Sequence, residues 1–434
     1  MSGYRAQKTI YNRLALPLAY AAVRAAAPFH RKLRETTRGR VGVLDRWTAG
    51  AQRLGGRPVW FHVASVGEYE QARPIITKLS VARPDIPVAI SVTSPSGYRY
   101  ITRKESIGAS GNLQFMDYLP FDFSGDARFC LAALSPRLLV FVKFDLWPNL
   151  VWEADERGTP VVLVDATLSE TSKRYSAVGR KFYRAVYASL RKILAISDAD
   201  AGRFLECAPG HPCVVVAGDT RFDRVMERRQ NGRGTMGRLS KDGRLTVVAG
   251  STWPRDEEHL LGALSGLAKN HPRVRFVIAP HEPTPERVSG ILAWAAGNDL
   301  GAATLSSHGR TGGSAGEQVI VVDSVGVLAE IYECGDVAYV GGSFSTGVHN
   351  VMEPAVMGVP VLFGPVHRNS FEAMELLRCG AAAEVRNAEE MSGALDSLIA
   401  DQSKRSGMGE RARSYVESQL GATERCFDAI REYL

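Results

Sequence analysis

Short runs of β-branched and apolar residues alternate with amphipathic stretches along this chain, stop, and then begin again. From Pro58 the runs are Val59–Ala64, Val88–Thr93, Leu138–Val142, Val161–Val164, Ile193–Ile196 and Val214–Ala217, with helical segments such as Gln71–Val81 and Ser176–Leu190 between them. A strand that is apolar on both faces must be covered on both faces, which is the setting of parallel sheet in α/β proteins. The stretch Glu227–Arg244 is charged and has little period. Beyond it the pattern restarts with Leu245–Ala249, Val274–Ala279, Val319–Val322, Val337–Val340 and Val361–Phe363. The spacing predicts an α/β protein of two doubly wound, Rossmann-like domains facing a central cleft. A length of 434 residues agrees, since it exceeds what one hydrophobic core serves. The expected division is a basic arm over 1–40, a first domain over 41–226, a linker over 227–244 and a second domain over 245–434. The closing helical segment Ala422–Leu434 is counted with the second domain.

Charge is unevenly placed. The whole chain carries +7, yet residues 1–50 hold ten Lys/Arg against only Glu35 and Asp45, so the other 384 residues sum to −1. A body of that charge does not suit nucleic acid, and no nucleic-acid partner is expected. Six cysteines lie far apart with no CxxC pair, so neither a zinc site nor a disulfide framework is indicated. The reading is six reduced thiols in a cytosolic protein.

Within the arm, Leu14–Val23 is an apolar stretch of ten residues bracketed by Arg13 and Arg24 and followed by His30-Arg31-Lys32-Leu33-Arg34. It is too short to span a bilayer. Basic residues beside an apolar helical face can snorkel to anionic headgroups, so an in-plane membrane helix is one reading. A helix packed on its own protein is another, and a signal peptide ending at Ala25-Ala26-Ala27 is a weaker third. Pro17 argues against a long uninterrupted helix.

Nearly every strand ends in a small and polar cluster: Ser65-Val66-Gly67-Glu68, Thr93-Ser94-Pro95-Ser96-Gly97, Lys143-Phe144-Asp145, Asp165-Ala166-Thr167, Gly218-Asp219-Thr220, Gly250-Ser251-Thr252-Trp253, Pro280-His281-Glu282 and Gly341-Gly342-Ser343. Carboxyl ends of parallel strands are where open α/β sheets bind ligands. Glu68, between a strand and a helix, can be partly buried with a raised pKa and serve as a general base; its other reading is a helix N-terminal cap. Gly341-Gly342-Ser343 runs on through His349 and Asn350 to Glu353. Glycines let a backbone approach a phosphate, a following helix would offer free N–H groups, and Glu353 could accept from ribose hydroxyls. Two formal motif matches fail on context. The GxGxxG of Gly232–Gly237 follows no strand, and the GxSxG of Gly312–Gly316 sits in a low-complexity loop.

Taken in order, Ser65-Val66-Gly67-Glu68, Leu146-Trp147-Pro148-Asn149, Gly218-Asp219-Thr220-Arg221-Phe222-Asp223, Gly250-Ser251-Thr252 and Gly341-Gly342-Ser343 with His349, Asn350 and Glu353 resemble the 3-deoxy-D-manno-octulosonic acid (Kdo) transferases of lipopolysaccharide synthesis. The resemblance implies a GT-B glycosyltransferase that moves Kdo from CMP-Kdo to a lipid A precursor with inversion. It implies neither a catalytic metal nor a cofactor. It further implies a peripheral position on the cytoplasmic face of the inner membrane, against an anionic surface. Glu68 then matches the general base, with Asp145 as a second catalytic candidate where the family commonly carries Glu. Ser65, Gly67, Ser94 and Ser96 fall on the acceptor side. Ser251, His281, Gly341, Gly342, Ser343, His349, Asn350 and Glu353 fall on the donor side. The family's Ala-Pro-Arg-His reads Ala279-Pro280-His281 here, so a donor cation is expected from Arg221, Arg255 or Arg368. The family's Arg before Leu-Ser is Thr167, which leaves acceptor phosphates to other partners. The competing readings are another GT-B transferase or a sugar-nucleotide epimerase, and a non-catalytic lipid-binding protein of the same fold.

Overall fold

The computed structural model describes residues 4–108, 112–231, 239, 243–308 and 317–434. The chain divides into two units, Met1–Arg224 with Leu420–Leu434, and Val225–Gln419.

The first unit is built on seven strands: β1 (Val59–Val63), β2 (Val88–Val92), β3 (Leu113–Tyr118), β4 (Leu138–Val142), β5 (Val161–Ala166), β6 (Lys192–Ala195) and β7 (Val214–Val216). They are all parallel, in the order β3-β2-β1-β4-β5-β6-β7. Every residue of β1, β2 and β4 is buried, as strands covered by helices on both faces must be. The chain works outward from β1 to β3 and then returns to the other side of β1 with β4. That reversal opens a crevice at the carboxyl ends of β1 and β4, where open sheets bind ligands.

The second unit repeats the plan with β8 (Thr246–Thr252), β9 (Arg275–Pro280), β10 (Ala302–Thr304), β11 (Val319–Val321), β12 (Val337–Val340), β13 (Val361–Phe363) and β14 (Ala382–Glu384). The order is β10-β11-β9-β8-β12-β13-β14, again parallel, with the reversal between β8 and β12. Three strands were not foreseen. β3 mixes Gln and Asp into its apolar run, while β10 and β14 are three-residue edges made largely of alanine, a weak strand former.

Several expectations are corrected. Residues 227–231 are not linker, because the helix Thr220–Asn231 runs through them. The rest of the expected linker, apart from 239, 243 and 244, lies outside the described residues, as do both discarded glycine motifs. The closing helix Ala422–Ile430 belongs to the first unit. Its Cys426, Phe427 and Ile430 are buried in the core of that unit. Asp223 caps its start, accepting the N–H groups of Gly421 at 2.7 Å and Thr423 at 2.6 Å.

In the arm, helical structure continues from Arg5 to Ala26 despite Pro17. The turns Tyr11–Ala15 ahead of the proline are π-helical, and that wider winding accommodates a ring that would clash with the preceding turn. Residues 4–12 are seated on the first unit. Tyr4 stacks on Trp152 with centroids 5.5 Å apart, Tyr11 donates to buried Asp122 at 3.0 Å, and Asn12 pairs with Asn149 at 2.8 Å. From Ile10 onward an apolar stripe faces outward: Ile10 is 57 % exposed, Leu14 59 %, Leu18 69 % and Phe29 92 %. Among the described residues no helix is long and apolar enough to cross a membrane. None of the six cysteines is joined in a disulfide.

Candidate functional site

In the first unit the site grows from the ends of β1, β2 and β4. Ser65 and Ser94 are N-caps of the helices Val66–Ala82 and Pro95–Lys104, accepting from Glu68 N–H at 3.3 Å and Gly97 N–H at 3.1 Å. A Cβ on Gly97 would lie 2.9 Å from both Ser94 Oγ and Val92 Cγ2, so glycine keeps this capped turn tight. Ser96 leans back to Ser94 Oγ at 3.4 Å. Gly67 is different. A Cβ there would meet only Ser65 Oγ at 3.8 Å, so the fold itself does not demand glycine and the space in front of it is open.

Glu68 is buried (5 % exposed), and its Oε2 accepts the Ala64 N–H at 2.5 Å. The capping reading is therefore fulfilled, but by one oxygen; Oε1 makes no hydrogen bond among the described residues. Burial pushes the carboxyl up to about 7, helped by the charge of Asp145 and opposed by the Ala64 bond and by Lys143 and Arg174. A carboxylate poised near neutrality with one free oxygen is the profile of a general base.

Asp145 holds a different state. Burial acts to raise it, but the hydrogen bond and charge of His62, the Trp147 hydrogen bond and the charge of Arg174 together keep it below the usual carboxylate range. Trp147 Nε1 donates to its Oδ2 at 3.1 Å, and His62 Nε2 lies 3.5 Å away. His62 Nδ1 lies 2.8 Å from Ser91 Oγ, which also accepts the indole N–H of Trp60 at 2.8 Å. Nε2 faces Asp145, whose ionised oxygen can only accept, so the contact requires a hydrogen on Nε2. Two carboxylates, one raised and one lowered, stand at the same sheet reversal. Beside them, Lys143 Nζ lies 5.3 Å and Arg174 Cζ 5.1 Å from the ring centre of half-exposed Phe144.

In the second unit the corresponding place is the end of β8 and β12. Ser251 takes a left-handed turn (φ 54°) at a bulge in β8. A Cβ on Gly341 would lie 2.3 Å from the Ser251 carbonyl oxygen, and one on Gly342 (φ 83°) 2.3 Å from the Gly347 carbonyl oxygen. Glycine is thus required at both positions by the loop itself. Asp256, not singled out from the sequence, organises that loop. This fully buried carboxylate accepts from Trp253 N–H at 2.9 Å, Gly342 N–H at 2.8 Å, Phe344 N–H at 3.2 Å and the Tyr339 hydroxyl at 2.8 Å.

Ser343 is corrected from a ligand contact to a structural residue. It has no exposure, and its hydroxyl is spent on Val340 O at 3.1 Å and Gly364 N–H at 2.7 Å. The helix expected after the loop is only Met352–Val356, too short to offer an appreciable dipole. His281 and His349 stack with centroids 4.4 Å apart. Asn350 is exposed and its Oδ1 accepts Met352 N–H at 3.1 Å, while Glu353 pairs with Arg228 at 3.2 Å. Of the suggested donor cations, Arg221 is consumed by Asp219 in the first unit. Arg255 and Arg368 are exposed in the second. Among the described residues there is no group of three or more His, Cys, Asp or Glu side chains arranged to hold a metal ion.

Two doubly wound parallel units, each with its polar cluster at the sheet reversal, define the GT-B class of fold, and solved structures agree. UDP-GlcNAc 2-epimerase from Neisseria meningitidis matches over 87 % of this chain and 99 % of its own with a TM-score of 0.60 at 15 % identity. Acinetobacter baumannii MurG matches over 87 % of this chain and 100 % of its own with a TM-score of 0.54 at 16 % identity. At such identities the likeness speaks to fold alone. Residues 35–224 match the family model described as 3-deoxy-D-manno-octulosonic-acid transferase (kdotransferase). The 3-deoxy-D-manno-octulosonic acid transferase of Bordetella pertussis is 31 % identical over 390 residues, 87 % of each chain. That of Chlamydia muridarum is 27 % identical over 441 residues, 99 % of each chain. This chain belongs to the Kdo transferase family.

Proposed function

We propose that this protein transfers Kdo from CMP-Kdo to a lipid A precursor in lipopolysaccharide synthesis, with inversion, and that Glu68 is its general base. The observation that carries the reading is Glu68 itself, buried at the first unit's sheet reversal, raised to about 7 and holding one oxygen free. Ionised, it takes the proton of an acceptor hydroxyl as that oxygen bonds to the anomeric carbon of Kdo. The bond to the phosphate breaks on the opposite side, and CMP leaves with the electron pair. The transition state is oxocarbenium-like, so the remaining work is stabilising the departing phosphate. That work is assigned to the loop of Ser251, Gly341 and Gly342, to neutral His349 beside His281, and to Arg255 or Arg368 in place of the family cation. No metal is required by this scheme. Asp145, kept ionised through His62 and Trp147, stabilises positive charge in the sugar, and Lys143 with Arg174 receives the acceptor's phosphate.

Peripheral attachment to the cytoplasmic face of the inner membrane is part of the proposal. The outward stripe Ile10, Leu14, Leu18 and Phe29, flanked by Arg13, Arg24, Arg31, Lys32 and Arg34, suits an anionic interface.

The test is product analysis by mass spectrometry with CMP-Kdo, a lipid A precursor and the purified protein, in the presence of EDTA. Acceptor gaining Kdo mass together with released CMP supports the reading. Turnover of UDP-sugars instead would favour the epimerase class, and acceptor binding without CMP release a non-catalytic lipid-binding protein.

A further inference from the structure

Linked through Thr220 to the helix that carries Glu68 is a second, fully buried carboxyl that the reaction as drawn does not use. Asp165 sits in β5 where the register with β6 shifts, with a left-handed backbone (φ 48°) that turns its side chain into the protein. Its Oδ1 accepts the Thr220 N–H at 2.8 Å, and its Oδ2 lies 2.8 Å from Thr220 Oγ1. The same hydroxyl is 2.7 Å from the carbonyl oxygen of Gln71, three residues beyond Glu68 in the helix Val66–Ala82. Asp165 and Thr220 have no exposed surface, and Gln71 has 3 %.

Counting hydrogens decides the state of this cluster. A threonine hydroxyl has one proton to give, and a carbonyl can only accept. Both contacts of Thr220 Oγ1 are hydrogen bonds only if the proton between Thr220 and Asp165 comes from Asp165. Pro74, inside the same helix, cannot donate to the Glu70 carbonyl, so the first two turns lack one tie to the rest of the helix. The Thr220 hydroxyl supplies an anchor at that point.

We propose that Asp165 is carried as the neutral acid and is a positioning residue for Glu68, its proton heading a chain from Asp165 Oδ2 to Thr220 Oγ1 to the Gln71 carbonyl that fixes the first turns of the Glu68 helix. The charged and titratable groups facing it favour this state. Asp219 holds Arg221 through both oxygens, and burial raises the thiol of Cys426. Burial, and next the charge of Asp219, place the Asp165 carboxyl well above its ordinary range. The catalytic half of the inference rests on Glu68 being the base; the protonation half does not.

The experiment uses the full chain and three substitutions: Asp165→Asn, whose amide accepts and donates where the neutral acid does, Asp165→Ala and Thr220→Val. Expected is a carboxylic-acid C=O band in the infrared difference spectrum of wild type minus Asp165→Asn at about pH 6, shifting in D2O. The kcat of Asp165→Asn should stay within about threefold of wild type, while the other two lose tenfold or more with donor KM unchanged. Stability supplies a separate reading. A carboxyl raised on folding stabilises most at low pH and loses that contribution as pH climbs toward its raised value. Asp165→Asn should therefore remove a fall of about tenfold per pH unit in the folding constant around neutrality. Absence of the infrared band, or an Asn variant as inactive as the Ala variant, overturns the proposal. A wild type inert toward CMP-Kdo sinks the proposed function instead and leaves the band and the stability slope to be judged on their own.

Discussion

Trp253 donates its indole N–H to Nε2 of His349 at 2.8 Å, and that bond fixes the histidine as the tautomer with its proton on Nδ1. Burial, and then the neighbouring His281, hold His349 below its ordinary value, so the ring is neutral at physiological pH. Its Nδ1–H is then a permanent donor beside the glycine loop. Trp253→Phe keeps the stacking but frees the ring to turn. Losing one hydrogen bond, about 1 kcal/mol, should raise the donor KM roughly fivefold and leave kcat nearly unchanged. Steady-state kinetics with varied CMP-Kdo checks this, and an unchanged KM would remove the pair from donor binding.

The pH dependence should belong to Glu68. A general base works ionised, so kcat/KM should fall tenfold per unit as pH drops below about 7. Glu68→Gln should lose roughly 10²–10⁴-fold in kcat while CMP binding persists. Its stability should move the other way. The folded carboxyl is raised above its unfolded value, so it favours the folded state most below the unfolded pKa and loses that contribution as pH rises through about 7. The glutamine escapes this loss and can still accept the Ala64 N–H. The variant should gain roughly 3 kcal/mol relative to wild type by about pH 8, readable by denaturant titration. Near-normal transfer by Glu68→Gln would falsify the general-base role.

Lys143 and Arg174 both lower that same carboxyl, so the proposed acceptor-phosphate site and the proposed base are electrostatically linked. Removing either cation should raise the KM for a phosphorylated acceptor, leave the donor KM in place, and shift the acid limb of the rate profile to higher pH. A Lys143→Ala, Arg174→Ala pair assayed against acceptors with and without phosphate separates charge recognition from a general loss of structure. Equal losses on both acceptors would count against the phosphate assignment.

What could be read from sequence divides by how local its cause is. Val337–Val340 and Val361–Phe363 are strands to the residue, because a central parallel strand writes its burial as an unbroken apolar run. The place of Glu68 at the helix start after β1 was legible too, since its strand, glycine and helix start are consecutive. Asp256 and Asp165 were not. Each acts through partners far along the chain, Tyr339 and Gly342 for one and Thr220 for the other. In sequence Asp256 looks like an ordinary first-turn acid after Pro254. Ser343 erred in the opposite direction, since a serine beside two glycines reads as a ligand contact until its burial is known. The closing helix was placed by chain order, whereas the cap from Asp223 and its own apolar face decide where it packs.

The arm gives the last prediction, and the structure changes how it must be tested. Deleting residues 1–30 would strip Tyr4 from Trp152 and Tyr11 from Asp122, exposing core as well as removing any membrane contact. The outward residues can be altered without that damage. Leu14 and Leu18 are exposed and one turn apart, whereas Leu16 between them is buried. The double substitution Leu14→Glu, Leu18→Glu puts two charges where an interface would need apolar surface, so it should lower binding to anionic vesicles at least tenfold with little change in unfolding. Adding salt should weaken wild-type binding through screening of Arg13, Arg24 and Arg31. Co-sedimentation with vesicles of mixed anionic and neutral lipid measures both effects. Retained binding by the double variant would move the contact away from this stripe.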